Sequence, residues 1–134
     1  MASAHKIITE AIDTAPLNRG LKGVDWLAHD GNVPVTFVNG DVVLFDNEGD
    51  GIYAIHVLFK SRGRMALDHA REAIATMFED YGATLIYAMV PVIRPEVKLL
   101  ARWAGMRSAG LRDMKFGLCE LFVLSKFQWK VARS

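Results

Sequence analysis

A short basic turn between two patterned segments holds the residues best suited to binding an anion. The apolar segment 55–59 leads into residues 60–64, Lys-Ser-Arg-Gly-Arg, and an amphipathic segment, 65–81, follows at once. A strand that passes through such a turn into a helix presents free backbone N–H groups and the positive end of the helix dipole at one place. Cationic side chains add to that charge, so the turn is predicted to bind a phosphate or pyrophosphate group.

The elements that would position this turn follow from hydrophobic periodicity. Helical spacing predicts a first helix around Ile7–Ile12 that ends at Pro16, then a short helix or irregular segment at Val24–Leu27. The later elements are expected to be strands Val35–Val38, Val42–Phe45 and Ile52–Phe59, a helix Met65–Tyr81, a strand Thr84–Val90, a helix Glu96–Trp103, and strands Leu111–Phe116 and Cys119–Ser125.

Two turns are expected to join the first three strands. Asn39-Gly40 is a strong signal for a two-residue hairpin turn. The acidic stretch Asp46–Gly51 lacks the spacing and the terminal glutamate of a calcium loop. We therefore expect a plain hairpin turn there.

Length and composition indicate a single domain, residues 1–134. Of the 134 residues, 51% are hydrophobic and 23% are charged, which suits one compact core. Cys119 is the single cysteine, so an internal disulfide is excluded. His5 and His69 are expected at the surface, and because the histidines lack metal-ligand spacing, no metal is expected. Neither a signal peptide nor a membrane span is predicted, which favours a cytoplasmic location.

Charge is distributed unevenly along the chain although the net charge is only +1. Residues 1–59 contain three basic and eight acidic side chains, whereas residues 94–134 contain nine basic and three acidic ones. The C-terminal third is therefore a candidate surface for an anionic partner. Nucleic-acid binding is not favoured, because the sequence has no recognisable reading motif.

The predicted order of elements resembles the GNAT superfamily of N-acetyltransferases. Residues 52–110 carry most of the resemblance: Val57 lies five residues before the Arg62-Gly63 pair, and Gly105-Met106 stands where the family usually has Gly-Phe after its last helix. The resemblance implies an α/β (α+β) fold with a mixed, mostly antiparallel central sheet and helices on both faces.

The resemblance also implies acetyl-CoA as co-substrate, bound at the basic turn. The N–H groups of the turn would cradle the pyrophosphate, and the end of the third strand, splayed from strand Thr84–Val90, would hold the pantetheine arm through backbone hydrogen bonds. The residues implied in cofactor binding are Val57, Phe59, Lys60, Arg62, Gly63, Arg64, Met65 and Ala66.

Acetyl transfer to an amine needs a base that takes a proton from the ammonium and an acid for the departing thiolate. His56 is the candidate base, since a histidine side chain titrates near neutral pH. Tyr87 on the neighbouring strand is the candidate acid. A structural histidine and a core tyrosine remain the alternative interpretations. The acceptor would be a small-molecule or protein amine.

Several positions differ from the family pattern. The asparagine that many members carry after the fifth strand is replaced by the Ile93-Arg94-Pro95 region. Met65 and Leu67 stand where small residues let a phosphate approach closely, and Ala101 occupies the position of a tyrosine that often acts as general acid. These differences favour a second hypothesis, a catalytically degenerate GNAT-fold protein that resembles short phage-encoded GNAT-like proteins. Such a protein would work in host cytoplasm or in a virion, and the aromatic, basic segment Lys126–Lys130 would dock on a protein partner.

Overall fold

The computed structural model describes residues 4–14, 22–115 and 117–133, which form six strands and five helices. The elements are α1 (Ala4–Thr14), α2 (Gly23–Ala28), β1 (Val33–Thr36), β2 (Val42–Gly49), β3 (Ile52–Leu58), α3 (Gly63–Asp80), β4 (Leu85–Pro91), α4 (Pro95–Trp103), β5 (Arg107–Met114), β6 (Gly117–Ser125) and α5 (Lys126–Arg133). The predicted order is confirmed, and α5 is an addition to it. The expected helix end at Pro16 lies outside the described residues.

The strands form one sheet with the order β1-β2-β3-β4-β6-β5. All neighbouring strands are antiparallel except β3 and β4, which are parallel. Two parallel neighbours need a crossover connection, and α3 supplies it. The predicted mixed, mostly antiparallel sheet is confirmed.

Helices cover both faces of this sheet, as predicted. On the first face, here called the α3 face, α3 packs Ile74, Met77 and Phe78 against alternate residues of the central strands. On the second, the α1–α2 face, Ile8, Ile12 and Trp26 pack against Val42 and Leu44. Because successive strand residues point to opposite faces, the side chain of His56 belongs to the α1–α2 face and its neighbours on β3 belong to the α3 face. Among the described helices, none is long and apolar enough to cross a membrane.

Strand β2 is longer than predicted, and the hairpin turn expected at Asp46–Gly51 is present but shorter than expected. The strand continues to Gly49, and the chain reverses at residues 49–51, where Asp50 has a φ of 56°. Asp46 pairs with Ala54 of β3 and is therefore a strand residue. Its side chain lies on the α1–α2 face, the same face as His56.

The C-terminal aromatic segment is part of the fold. Trp129 packs on the fully buried Phe78, with ring centroids 5.0 Å apart, and adds to the core of the α3 face. Phe127 lies on the same helix but is 76% exposed. The expected role of this segment in docking on a partner therefore falls to the exposed side of α5 and stays a prediction.

Truncation of Trp129 should destabilise the domain. Trp129→Ala removes the ring that packs on Phe78, and we expect the free energy of unfolding to fall by about 2–3 kcal/mol. The control Phe127→Ala, on the same helix, should change it by less than about 0.5 kcal/mol. Urea unfolding followed by circular dichroism measures both values, and equal losses would contradict the packing of α5 on the core.

Candidate active site

The sheet opens between its two parallel strands. Strands β3 and β4 pair over only three residues each, 52–54 with 85–87. Beyond this ladder, residues 55–58 and 88–91 have backbone N–H and C=O groups on facing edges that do not pair with each other. Backbone polar groups in a partly buried position require partners, so these edges are suited to an extended polar ligand.

A cleft of about 610 Å³ occupies the opening, a volume typical of small-molecule sites. The cleft reaches both faces of the sheet, since successive residues at the end of β3 point to opposite faces and all of residues 55–58 line it. Residues on the α1–α2 side include Trp26, Asp46 and His56, and residues on the α3 side include Val57, Phe59 and Ala101. Two ligands could therefore meet in the cleft from opposite faces.

The basic turn lies where β3 leads into α3. Gly63 begins the helix with a φ of 63°, a conformation that favours glycine, and a Cβ there would meet open space. Arg62 is the N-cap residue and makes no side-chain capping bond. The first N–H groups of α3 therefore lack a side-chain acceptor from the N-cap, as an anion-binding helix end requires.

Met65 does not fill the cleft, although its size suggested that it would obstruct a phosphate. Its side chain is 52% exposed and its sulfur accepts a hydrogen bond from the Asn39 amide at 3.6 Å. Ala66 is buried behind it against the core. The helix end is thus less obstructed than the sequence implied.

Two backbone amides of the predicted anion cradle are already occupied. Asp41 Oδ1 accepts hydrogen bonds from the amides of Lys60 at 2.6 Å and Ser61 at 3.0 Å. The Ser61 hydroxyl donates to the other carboxylate oxygen. Lys60 can therefore offer only its ammonium group to an anion, and the free amides of the cradle begin further along the turn.

Asp41 is fully buried and ties the turn to α3. His69 Nδ1 lies 2.8 Å from Asp41 Oδ2, and the His69 ring stacks on Phe37 with centroids 4.0 Å apart. The expectation that His69 is a surface residue is therefore wrong. Burial alone would raise the pKa of Asp41, but hydrogen bonds from Ser61, His69 and the two amides outweigh it and hold the pKa far below its ordinary value.

Arg94 adds a positive charge that the sequence reasoning missed. It lies in the turn between β4 and α4 and lines the cleft, and its guanidinium pairs with Glu96 at 2.5 Å. Hydrogen bonding to Arg94 lowers the pKa of Glu96, and the charge of Arg62 acts in the same direction. Arg62 follows β3 and Arg94 follows β4, and the charges of both lower the pKa of Glu96.

His56 forms a hydrogen-bonded pair with Asp46 on the α1–α2 face. The His56 Nε2 atom is 2.8 Å from Asp46 Oδ2, and the Trp26 indole N–H donates to Asp46 Oδ1 at 2.5 Å. Partial burial tends to raise the pKa of Asp46, but the hydrogen bond and charge of His56, with the Trp26 bond, lower it overall. The carboxylate is therefore ionised at neutral pH.

Tyr87 lies at the closed end of the splay, where it pairs with Ala54. Its hydroxyl donates to Glu48 Oε1 at 2.9 Å. Burial, this hydrogen bond and the charges of Glu48 and Asp46 raise the pKa of Tyr87 to about 12. The phenol is thus held protonated and directed at a carboxylate.

The structure brings most of the predicted residues to one cleft. His56, Val57, Phe59 and Lys60 line it, whereas Arg62 to Ala66 form the adjoining helix end and Tyr87 lies beside it. Sequence reasoning missed Asp41, Asp46 and Arg94. No local signal marked Asp46, because Asp46 to Glu48 have the composition of a turn.

Replacement of Asp41 should weaken the fold in a pH-dependent way. Asp41→Asn removes a buried carboxylate from its donors, and we expect a loss of about 3 kcal/mol at neutral pH. Folding lowers the pKa of Asp41 from its ordinary value of 3.8. The contribution of the Asp41 carboxylate to the free energy of unfolding is therefore complete above pH 3.8 and decreases as the pH falls below it. The difference between wild type and variant should therefore shrink in acid.

Denaturant unfolding from neutral pH to about pH 3 measures this difference. Asp68→Asn is the matched control, since Asp68 is exposed and pairs with Arg64 one helical turn away. The role given to Asp41 would be refuted if the difference in unfolding free energy between wild type and Asp41→Asn stays constant with pH. It would also be refuted if Asp68→Asn loses as much unfolding free energy as Asp41→Asn.

Comparison with solved structures places this architecture among known folds. The aminoglycoside acetyltransferase AAC(6')-Ib in complex with paromomycin and acetyl-CoA matches with a TM-score of 0.68 and 18% identity, over 81% of this chain and 72% of that one. The same enzyme in complex with coenzyme A and kanamycin matches with a TM-score of 0.67 and 18% identity, over 81% of this chain and 74% of that one. A mutant of the Vibrio cholerae spermidine N-acetyltransferase SpeG matches with a TM-score of 0.65 and 13% identity, over 79% of this chain and 73% of that one.

No protein-family model matches the sequence, and no curated protein matches it. The structural neighbours are GNAT-fold acetyltransferases, and their similarity extends over about four fifths of this chain. The element order and the mixed sheet agree with that similarity, and the fold expected from the resemblance is confirmed. The chain has the GNAT fold.

Proposed function

We propose that the protein is an N-acetyltransferase that moves an acetyl group from acetyl-CoA to a small-molecule amine. The observation that carries this proposal is the cleft between β3 and β4, which reaches both faces of the sheet. An uncapped helix end with basic residues adjoins it, and a histidine–aspartate pair lines its α1–α2 side. The neighbours with bound coenzyme A or acetyl-CoA, and those named for aminoglycosides and spermidine, support the same reading.

The cofactor would bind from the turn inward along β3. The N–H groups at the start of α3, residues 63–66, would hold the pyrophosphate, with Lys60, Arg62 and Arg64 balancing its charge. The free backbone edge of β3 at Val57 and Phe59 would hydrogen-bond the pantetheine arm. Acetyl-CoA supplies the thioester whose carbon the amine attacks.

His56 would accept the proton that the ammonium must lose before the amine nitrogen can attack the thioester. Attack forms the C–N bond and breaks the C–S bond, so a thiolate leaves. Tyr87 is a poor acid for that thiolate, because a pKa of about 12 is well above the roughly 8.5 of an ordinary thiol. We therefore propose that Tyr87 orients Glu48 beside the acceptor and that solvent protonates the thiolate.

Acetyl-CoA should stabilise the folded protein. At a concentration about 100 times the dissociation constant, binding adds about 2.7 kcal/mol, which raises Tm by roughly 5–10 °C in a domain of this size. Arg62→Glu should abolish the rise, because it reverses a charge at the helix end. Arg107→Glu, the same change on the exposed edge strand β5, should leave the rise intact. Thermal unfolding with millimolar acetyl-CoA tests this, and no shift in the wild type would refute CoA binding.

Loss of the base should slow transfer far more than loss of the phenol. His56→Ala should lower kcat by about 100-fold or more, the usual contribution of a general base, whereas Tyr87→Phe should lower it by less than about 10-fold. Tyr81→Phe is the control, since Tyr81 is 52% exposed at the end of α3. Release of the CoA thiol with spermidine or kanamycin as acceptor measures the rates. A His56→Ala variant with wild-type kcat would remove His56 from the mechanism.

The non-catalytic alternative is supported by one feature, the exposed apolar side of α5 with Phe127 and Val131. An assembly protein of this fold would need such a surface and would not need the cofactor. It predicts no thermal shift with acetyl-CoA and no turnover with any amine. Co-purification in a stable particle would then be the measurement in its favour.

A further inference from the structure

We propose that Asp46 is the positioning residue of His56, and that Nδ1 of His56 is the atom that takes the proton from the acceptor amine. This inference rests on the proposed acetyltransferase function. It identifies a residue on β2 that acts through His56, and it selects one of the two ring nitrogens as the base.

The carboxylate of Asp46 is held at both oxygens. Oδ1 accepts the Trp26 indole N–H at 2.5 Å, while Oδ2 is 2.8 Å from Nε2 of His56. Trp26 is only 5% exposed and packs with Ile8 and Ile12 in the core of the α1–α2 face. A fixed indole therefore fixes the carboxylate, and the carboxylate fixes the imidazole plane.

The charge state of Asp46 determines the tautomer of His56. An ionised carboxylate can only accept hydrogen bonds, so the ring nitrogen that faces it must carry the proton. The pKa of Asp46 is lowered by His56 and Trp26 in spite of the effect of burial, which keeps the carboxylate ionised. Nε2 therefore carries hydrogen in the neutral ring, and the lone pair that can accept a proton is on Nδ1.

Nδ1 belongs to an exposed side chain that lines the cleft. The His56 side chain is 53% exposed and lines the cleft, whereas the Asp46 side chain is 32% exposed. Within the part of the chain that the structure describes, Nε2 has the Asp46 partner and Nδ1 has none. The ionisable groups around the pair are His29, whose charge acts on Asp46, and Tyr87 with Glu48 on the neighbouring strands.

Nitrogen-15 NMR of the histidine ring tests the pair without any need for turnover. In the wild type we expect the neutral His56 ring to show protonated Nε2 and unprotonated Nδ1. Asp46→Asn should abolish this preference, because an amide can donate as well as accept. The control Asp50→Asn removes a carboxylate from the exposed turn between β2 and β3, where Asp50 has a φ of 56°, and should leave the protonation of the His56 ring unchanged. A wild-type ring protonated at Nδ1 would overturn the proposal, even in a protein that proves catalytically inactive.

Steady-state kinetics tests the consequence for transfer. Asp46→Asn should lower kcat by about 10-fold or more while KM for acetyl-CoA stays within about twofold, since the base loses its orientation and the cofactor groove is untouched. Asp46→Glu should restore part of kcat, and Trp26→Phe should give an intermediate loss. If Asp46→Asn keeps the wild-type kcat, or if KM for acetyl-CoA rises instead, Asp46 does not position the base. Absence of turnover in the wild type would refute the proposed function. The NMR result would still show whether Asp46 sets the tautomer of His56.

Discussion

The early end of the pairing between β3 and β4 is the constraint on which the rest of the site depends. Three paired residues on each strand hold the two halves of the sheet together, and beyond them the strands separate. Separation leaves unpaired backbone edges and opens a cleft through the sheet. The same separation brings the end of β3 and the start of α3 to the rim of that cleft. A continuous ladder would leave no room for either of the proposed ligands.

Two carboxylates, one just before β2 and one in the middle of it, organise the two sides of this opening. Asp41, just before the strand, binds the amides that follow β3 and the His69 ring of α3, so it sets the shape of the basic turn. Asp46, in the middle of the strand, orients His56 on the α1–α2 face. Both have a lowered pKa because hydrogen-bond donors surround them. One strand thus supports the proposed cofactor side and the proposed acceptor side, although its hydrophobic residues face the two cores.

Most of the element order could be predicted from the sequence because apolar periodicity and turn residues are local signals. The basic turn before α3, the chain reversal at Asn39-Gly40 and the near-continuous apolar strand β4 were recognisable on this basis. The reversal is not the two-residue turn expected: the Phe37 N–H donates to the Asp41 carbonyl, which encloses a loop of residues 38–40. The length of β2 was not recognisable, since Asp46 to Glu48 resemble a turn in composition and become strand through their pairing with β3. The surface position expected for His69 was wrong for a related reason. A histidine on a polar stretch of helix gives no sign that a buried aspartate 28 residues earlier will meet it.

The sequence by itself determined where the anion-binding turn, its helix and the candidate base lie along the chain. These depend on residue type and on neighbours a few positions away, which a linear pattern preserves. Only the tertiary structure decided that the Met65 sulfur accepts a hydrogen bond from Asn39 and that Asp41 accepts hydrogen bonds from two amides of the turn. It also decided that Trp26 hydrogen-bonds Asp46, which in turn hydrogen-bonds His56. Those contacts join segments 19–26 residues apart or on different strands, and their geometry is set by packing across the sheet.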